Sequence, residues 1–363
     1  MEFIDLQAQY RMMRPAIDQA IQEVLDSSRY INGPQVQALE QALAAFVGSG
    51  MHAVGFSSGT DALLAILMAK GIGPGDEVIT TPFTFIATAE TIALTGAKPV
   101  FVDVEPDTLN LDPNRIAAAI TERTRAIMPV SLFGQCADLE AINRVAEAHG
   151  LWVLEDGCQS FGAERHGKRS CGLTLTAATS FFPAKPLGCY GDGGMAFSMD
   201  PELSARIRVI RDHGQVALYQ HARLGINGRL DTIQAAILLA KLPHFVQEIE
   251  ARQQVAARYG ERLAGKVRIP QIRSENLSVF AQYTVRVAER ERVRAAMAQA
   301  GIPTAVHYPI PLHHQGVFAD LGYAREAFPH ATLAAQEVIS LPMHPYLTAD
   351  QQDLVADALL RAL

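Results

Sequence analysis

Between residues 52 and 156 short apolar runs alternate with amphipathic stretches. His52–Phe56 predicts a strand, and Asp61–Lys70 a helix closed by Gly71. Glu77–Thr81 predicts a second strand and Thr88–Thr95 a second helix. The valine-rich run Lys98–Val104 is a third strand. Asp112 followed by Pro113 predicts a helix start, with the acid as N-cap and proline at the first helical position. Arg125–Phe133 reads as the fourth strand, Leu139–His149 as a helix and Trp152–Glu155 as the fifth strand. This alternation implies βαβ units, hence an α/β fold with a mostly parallel sheet and helices on both faces. Two more apolar strands, near Ala177–Phe182 and Gly194–Ser198, bring the sheet to seven. No long helix fits between them, so a hairpin-like excursion is expected there.

Beyond Asp200-Pro201 the pattern turns helical. A long amphipathic stretch, Thr232–Arg262, is expected to bridge two domains. A strand at Phe280–Val287, a helix at Glu291–Ala300 and a last helix from Thr348 complete a smaller α/β unit. Gln351 gives that last helix a capping box. The expected division is a large domain over 1–240 and a small C-terminal domain over 241–363. A chain of 363 residues exceeds what one core usually fills.

Composition narrows the classes. The formal net charge of −7 argues against a nucleic-acid binder, which carries a basic patch. No apolar run reaches the roughly 20 residues that span a bilayer. The start, Met1-Glu2-Phe3-Ile4-Asp5, lacks a basic-then-apolar signal pattern, so a cytoplasmic protein without membrane contact is expected. The four cysteines form no Cys-x-x-Cys pair, and no metal site is expected.

Three segments carry chemistry. Ser57-Ser58-Gly59-Thr60-Asp61 joins a strand to a helix, and the free N–H groups of a first helical turn form an anion site. Taken alone, the same residues do no more than cap a helix. Asp156 ends an apolar strand, where ligands bind in open α/β sheets, and Gln159 follows three residues on. A capping pair at the strand exit is an equal reading. The third segment is Thr179–Gly188, continuing to Gly191-Asp192-Gly193-Gly194, in which Lys185 is the single lysine among apolar, glycine and proline residues. Burial disfavours the ammonium form and leaves the neutral amine that Schiff-base chemistry needs. A phosphate cradle, an acid and an isolated lysine together match the needs of pyridoxal 5'-phosphate.

These residues and several longer motifs resemble the DegT-type nucleotide-sugar aminotransferases, a branch of the aspartate-aminotransferase fold. The motifs are Tyr30-Ile31-Asn32-Gly33-Pro34, Ser58-Gly59-Thr60-Asp61-Ala62-Leu63, Pro82–Thr88, Glu155-Asp156, Ser180–Lys185 and Gly191–Gly194. The likeness runs from Phe3-Ile4-Asp5-Leu6 to Leu341-Pro342-Met343-His344-Pro345. It implies that Lys185 forms the Schiff base and shuttles the proton. Asp156 would pair with the pyridine nitrogen, Gln159 contact the phenolic oxygen and Phe85 stack on the ring. Gly59, Thr60 and Ser180 would hold the phosphate. Asn227 would reach the phosphate of a neighbouring subunit's cofactor, which implies a homodimer with shared sites. Gly157-Cys158 stands where family members often have Ala-Ala, and both residues are small.

Within the family the likeness is nearest to enzymes that aminate UDP-2-acetamido-2-deoxy-3-oxo-glucuronate for bacterial surface polysaccharide (O-antigen). It rests on Val130–Asp138, Pro186–Tyr190 and Thr304–Leu312. It implies a UDP-sugar acceptor, L-glutamate as donor, and substrate contacts at Tyr30, Arg229, His307 and Tyr308. Arg229 forks suit a carboxylate. Pairing with a nearby acid such as Asp231 is an equal reading. A 4-keto-6-deoxy sugar acceptor and a non-enzymatic pyridoxal-phosphate-binding regulator stay as alternatives. A sugar dehydratase is disfavoured by Lys185, and a nicotinamide enzyme by the lack of Gly-x-Gly-x-x-Gly.

Overall fold

The computed structural model describes residues 1–48 and 50–363. Seven strands form the central sheet: β1 (His52–Phe56), β2 (Glu77–Thr80), β3 (Lys98–Phe101), β4 (Thr124–Ile127), β5 (Trp152–Asp156), β6 (Thr176–Ser180) and β7 (Gly194–Ser198). Their order is β1-β7-β6-β5-β4-β2-β3. β7 runs antiparallel to both neighbours, and the other pairs are parallel. The expected seven-stranded, mostly parallel sheet is therefore present.

Alternation along the strands loads two cores. Val54, Phe56, Ala178 and Ala196 face the helix Gly59–Ala69 and the later helix Pro201–Arg211. Ala53, Ala177, Met195 and Phe197 point the other way, onto the helix Pro34–Val47 and onto Leu238, Phe245 and Ile249. Strands buried on both faces explain the near-continuous apolar runs.

Several boundaries move for local reasons. The fourth strand stops at Ile127, well short of Phe133, because Pro129 has no N–H for the ladder. A single 3₁₀ turn, Leu132–Gly134, follows. The third strand stops at Phe101, and the Asp103 carboxylate instead accepts from the N–H groups of His330 (3.0 Å) and Ala331 (2.9 Å). Asp112 caps only a short helix, Pro113–Ile116. The single helix expected over Thr232–Arg262 is two, Thr232–Lys241 and Phe245–Leu263, separated by a 3₁₀ turn containing Pro243.

The first 47 residues, for which the hydrophobic pattern predicts no element, hold two helices, Leu6–Ser27 and Pro34–Val47. The first buries Gln9, Met13, Ile17 and Val24, about one residue per turn of an otherwise mostly polar string. Near the C-terminus, strands β8 (Tyr283–Arg286) and β9 (Val338–Leu341) pair antiparallel under the helices Arg290–Gln299 and Ala349–Ala362. Thr348 and Gln351 make the expected capping box. Helix Phe245–Leu263 gives Phe245 and Ile249 to the sheet core, and Val255, Tyr259 and Leu263 to this C-terminal core. Among the described residues no helix is long and apolar enough to cross a membrane.

Candidate active site

The carboxyl ends of β1, β5 and β6 open into a cavity of roughly 630 Å³. Its wall includes Gly59, Thr60, Phe85, Asp156, Gln159, Ser180, Lys185, His307 and Tyr308. Nine of the twelve positions singled out in the sequence thus meet in one space.

Strand alternation decides which acid faces it. Glu155 points away and is fully enclosed. It accepts from the hydroxyls of Ser131 (2.8 Å) and Ser170 (2.7 Å) and from the Cys171 N–H (2.8 Å). Burial raises its carboxyl above the ordinary value. Asp156, 4% exposed, turns into the cavity. Its Oδ2 accepts from the Thr88 hydroxyl (2.8 Å) and its Oδ1 from the Cys158 N–H (3.2 Å). Thr88 is in turn 3.1 Å from the Thr84 hydroxyl.

Gln159 is oriented at both ends. Its Oε1 accepts from the Phe133 N–H (2.9 Å), so its Nε2 is the donor to the Tyr308 hydroxyl (2.9 Å). Phe85 is 55% exposed, and the Tyr308 ring lies 6.2 Å away. An apolar ring left open at a cavity wall is a stacking surface.

The anion cradle is the start of the helix Gly59–Ala69. Ser58 Oγ accepts from the Asp61 N–H (3.0 Å), which leaves Gly59 and Thr60 at the helix head, where N–H groups lack intrahelical acceptors. A Cβ on Gly59 would stand 2.8 Å from Cys158 Sγ and 2.9 Å from Ser180 Cβ. A Cβ on Gly194 would stand 2.4 Å from the Ser58 carbonyl. Both glycines let backbone approach where a side chain would fill the cradle.

Lys185 sits on the loop between β6 and β7, the expected excursion. Burial lowers its ammonium below the ordinary lysine value, partly opposed by the nearby Cys158 and Asp156. Cys158 also lines the cavity, but burial and then Asp156 hold its thiol well above the usual range, so it is a neutral thiol. His307 Nδ1 is 2.9 Å from Ser340 Oγ. Burial, with the Lys185 charge, lowers the imidazole to about 4.

Tyr30, Asn227 and Arg229 do not line this cavity. Tyr30 is 45% exposed and its carbonyl accepts from the Thr232 N–H (3.0 Å). Asn227 bridges Asp212 through the backbone and is exposed. The Arg229 guanidinium pairs with Asp212 (2.5 Å), an acid other than the Asp231 weighed from sequence. Lining residues that sequence reasoning did not single out are Thr84, Thr88, Asp192, Gln282, Phe3 and Ile4. Thr84 and Thr88 had a signal, four residues apart in a motif already quoted. Phe3 and Ile4 arrive only through tertiary folding.

The residues present fit pyridoxal phosphate: a glycine cradle at a helix head, a buried acid with two donors, and a lysine biased toward its neutral form. Matches to known proteins agree. The family described as DegT/DnrJ/EryC1/StrS aminotransferase matches residues 12–360. The chain is 54% identical to the UDP-2-acetamido-2-deoxy-3-oxo-D-glucuronate aminotransferase of Pseudomonas aeruginosa, covering 99% of both chains. It is 48% identical to a Geobacillus stearothermophilus protein named as a pleiotropic regulatory protein, over 98% of this chain and 96% of that one. Among solved structures, the Streptomyces venezuelae protein DesV in complex with a ketimine intermediate superposes with a TM-score of 0.97. The two are 40% identical, over 99% of this chain and 97% of that one. With that cavity and those matches, the chain belongs to the DegT/DnrJ/EryC1/StrS aminotransferase family and is a pyridoxal-phosphate-dependent nucleotide-sugar aminotransferase.

Proposed function

We propose that the enzyme transfers the amino group of L-glutamate to UDP-2-acetamido-2-deoxy-3-oxo-glucuronate. The product is the UDP-linked 3-amino uronic acid, destined for surface polysaccharide such as O-antigen. The observation that carries this reading is Lys185 and Asp156 on one cavity wall in a chain 54% identical, end to end, to a relative named for that reaction. The cytoplasm, where nucleotide sugars are made, is the proposed location.

Bound pyridoxal phosphate supplies a carbonyl that accepts the amino group and a ring that withdraws electrons from the carbanion left by proton loss. The residues divide the remaining work. Gly59, Thr60 and Ser180 hold the phosphate. Asp156 would pair with the protonated ring nitrogen, and the donors from Thr88 and Cys158 hold its carboxylate in place. Phe85 would cover one ring face, and Gln159, oriented by Phe133 and Tyr308, would donate to the phenolic oxygen. Lys185 would carry the proton on its Nζ from the donor's Cα to the cofactor carbon that bears the amino group, and would run that transfer in reverse for the acceptor. His307 and Tyr308 face the sugar.

A homodimer completes the site in this reading. Tyr30, Asn227 and Arg229 lie outside the lining of their own cavity, and Leu218 and Tyr219 of the hairpin Gln215–His221, with Leu224 just after it, lie open. A second subunit covers that surface, and Asn227 meets the partner's phosphate. The units 1–240 and 241–363 then form the walls of the cleft.

The Geobacillus relative's name favours a second reading, a regulator that binds the cofactor without turnover. One absorbance experiment separates them. The visible band of the lysine-bound cofactor should bleach with L-glutamate and return with the UDP-linked 3-keto uronate. Bleaching without return discards this acceptor, and a 4-keto-6-deoxy sugar is the next to try. A band untouched by amino donors leaves the regulator.

A further inference from the structure

We propose that Lys241 is a positioning residue for the reaction: its ammonium, buried behind the site, fixes the loop that carries Lys185. The proposal rests on the reading of Lys185 given above.

Lys241 ends the helix Thr232–Lys241 and is 1% exposed, among the least accessible side chains of the protein. Its Nζ donates to the Gly188 carbonyl (2.6 Å) and to Gln9 Oε1 (2.9 Å), and it lies 4.1 Å from the centre of the Tyr190 ring. Among the described residues no carboxylate touches it. The nearest acid in the network is Glu248, one side chain further on, which accepts from Gln9 Nε2 at 2.9 and 3.1 Å. Tyr346 also donates to Glu248. A buried charge without a direct counter-charge is weak evidence for stability, since an apolar residue of similar size often serves better. Its placement therefore points to the atom it holds.

That atom belongs to the loop between β6 and β7. The loop contains Pro183 and Pro186, which lack N–H groups, so it has few donors of its own. Its internal backbone bonds run from Phe181 N–H to Gly193 O (2.7 Å), Lys185 N–H to Phe182 O (2.8 Å) and Cys189 N–H to Phe181 O (2.8 Å), and the Cys189 thiol adds weak donation to the Phe181 (3.0 Å) and Gly191 (3.2 Å) carbonyls while Ser180 Oγ accepts from the Phe182 N–H (3.2 Å). The turn is tight, since a Cβ on Gly188 would stand 2.4 Å from the Pro183 carbonyl oxygen and 2.8 Å from that of Phe182. Lys185 and Gly188 thus share one knot of carbonyls. Lys241 grips the far end of that knot from outside. Its ammonium is lowered to about 8, mainly by burial, and is still the cation at neutral pH. A group that must hold a cofactor and pass a proton between two carbons tolerates little displacement.

The test uses the holoenzyme with Lys241→Met, which keeps the length and removes the donor. Circular dichroism and thermal unfolding report folding. Two readouts report position: the pH dependence of the cofactor's visible band, and stopped-flow bleaching by L-glutamate. We expect a folded variant with a shifted spectral pH midpoint. Its bleaching rate should fall by about tenfold to a hundredfold at saturating glutamate, with the half-saturating concentration within about twofold of the parent. If the midpoint and rate match the parent and only the melting temperature falls, Lys241 is structural and the proposal fails. If Lys241→Met does not fold, Gln9→Met decides by the same two readouts, because it removes a partner that orients the ammonium without touching the loop. Lys185→Ala is run alongside. Retained glutamate bleaching there would reject the Lys185 reading itself, whereas a dead Lys185→Ala beside an unaffected Lys241→Met rejects only this proposal.

Discussion

A methyl group on Gly59 would press on the Cys158 sulfur and the Ser180 Cβ at once. Gly59→Ala should therefore close part of the phosphate cradle without disturbing the exposed surface. Overpacking of this kind costs about 1–3 kcal/mol, roughly fivefold to 150-fold in affinity. Titrating the apo-protein with pyridoxal phosphate and following the visible band measures it directly. Cys158→Ala added to the same chain removes one of the two contacts, so affinity should recover in part and not fully. Parental affinity in Gly59→Ala would show that the cofactor's phosphate binds elsewhere. Residue identity at this scale was legible where a chemical demand leaves few choices: Lys185 among prolines and glycines, and Asp156 at a strand end. It was not legible for Thr88, whose hydroxyl matters only because folding sets it 2.8 Å from Asp156.

Secondary elements were readable where their apolar period was strong or their caps explicit. The strands His52–Phe56 and Gly194–Ser198 and the capping box at Thr348 stand where expected. The first helix escaped because one buried residue per turn leaves a mostly polar string, and the break at Pro243 was masked by unbroken amphipathicity on either side. Two segments of the C-terminal part carry a pH-dependent consequence. His307 precedes the contact between Tyr308 and Gln159, and His344 follows β9. Burial lowers both imidazoles to about 4, with Lys185 adding to the effect on His307 and Arg252 to that on His344. Asp5 and a backbone contact at Glu2 oppose the shift at His344, and Ser340 is the neutral partner of His307. In the unfolded chain both take a proton near their ordinary 6.5. Between those values the unfolded state binds more protons, so stability falls as pH drops from about 6.5 toward about 4. The loss between pH 7 and pH 5 should reach up to roughly 2 kcal/mol for each histidine. Urea unfolding at both pH values checks it. His307→Gln with His344→Gln should flatten the acid-side loss, and parallel losses in parent and variant would assign it to other groups.

For the molecule as a whole, the division of polar residues between cavity and surface makes a prediction about assembly. Lys185 lines the cavity of its own chain, whereas Asn227 is exposed and outside that lining, bonded through its backbone to Asp212. If Asn227 serves the partner's cofactor, one site draws its lysine from one chain and its asparagine from the other. Chains carrying Lys185→Ala and chains carrying Asn227→Ala would each form weak or dead homodimers. Unfolding and refolding them together in equal amounts places both kinds in about half of the dimers. Each mixed dimer then has one site with both residues intact and one with neither. About a quarter of all sites should be whole, and turnover should rise to about that fraction of the parent. Should Asn227 act only within its own chain, no mixed dimer would contain an intact site, and the mixture would show no more than the average of the two variants. Size-exclusion chromatography of the same mixture guards the inference. Dimers with no recovered activity would move Asn227 out of the partner's site, and monomers would remove the shared-site architecture altogether.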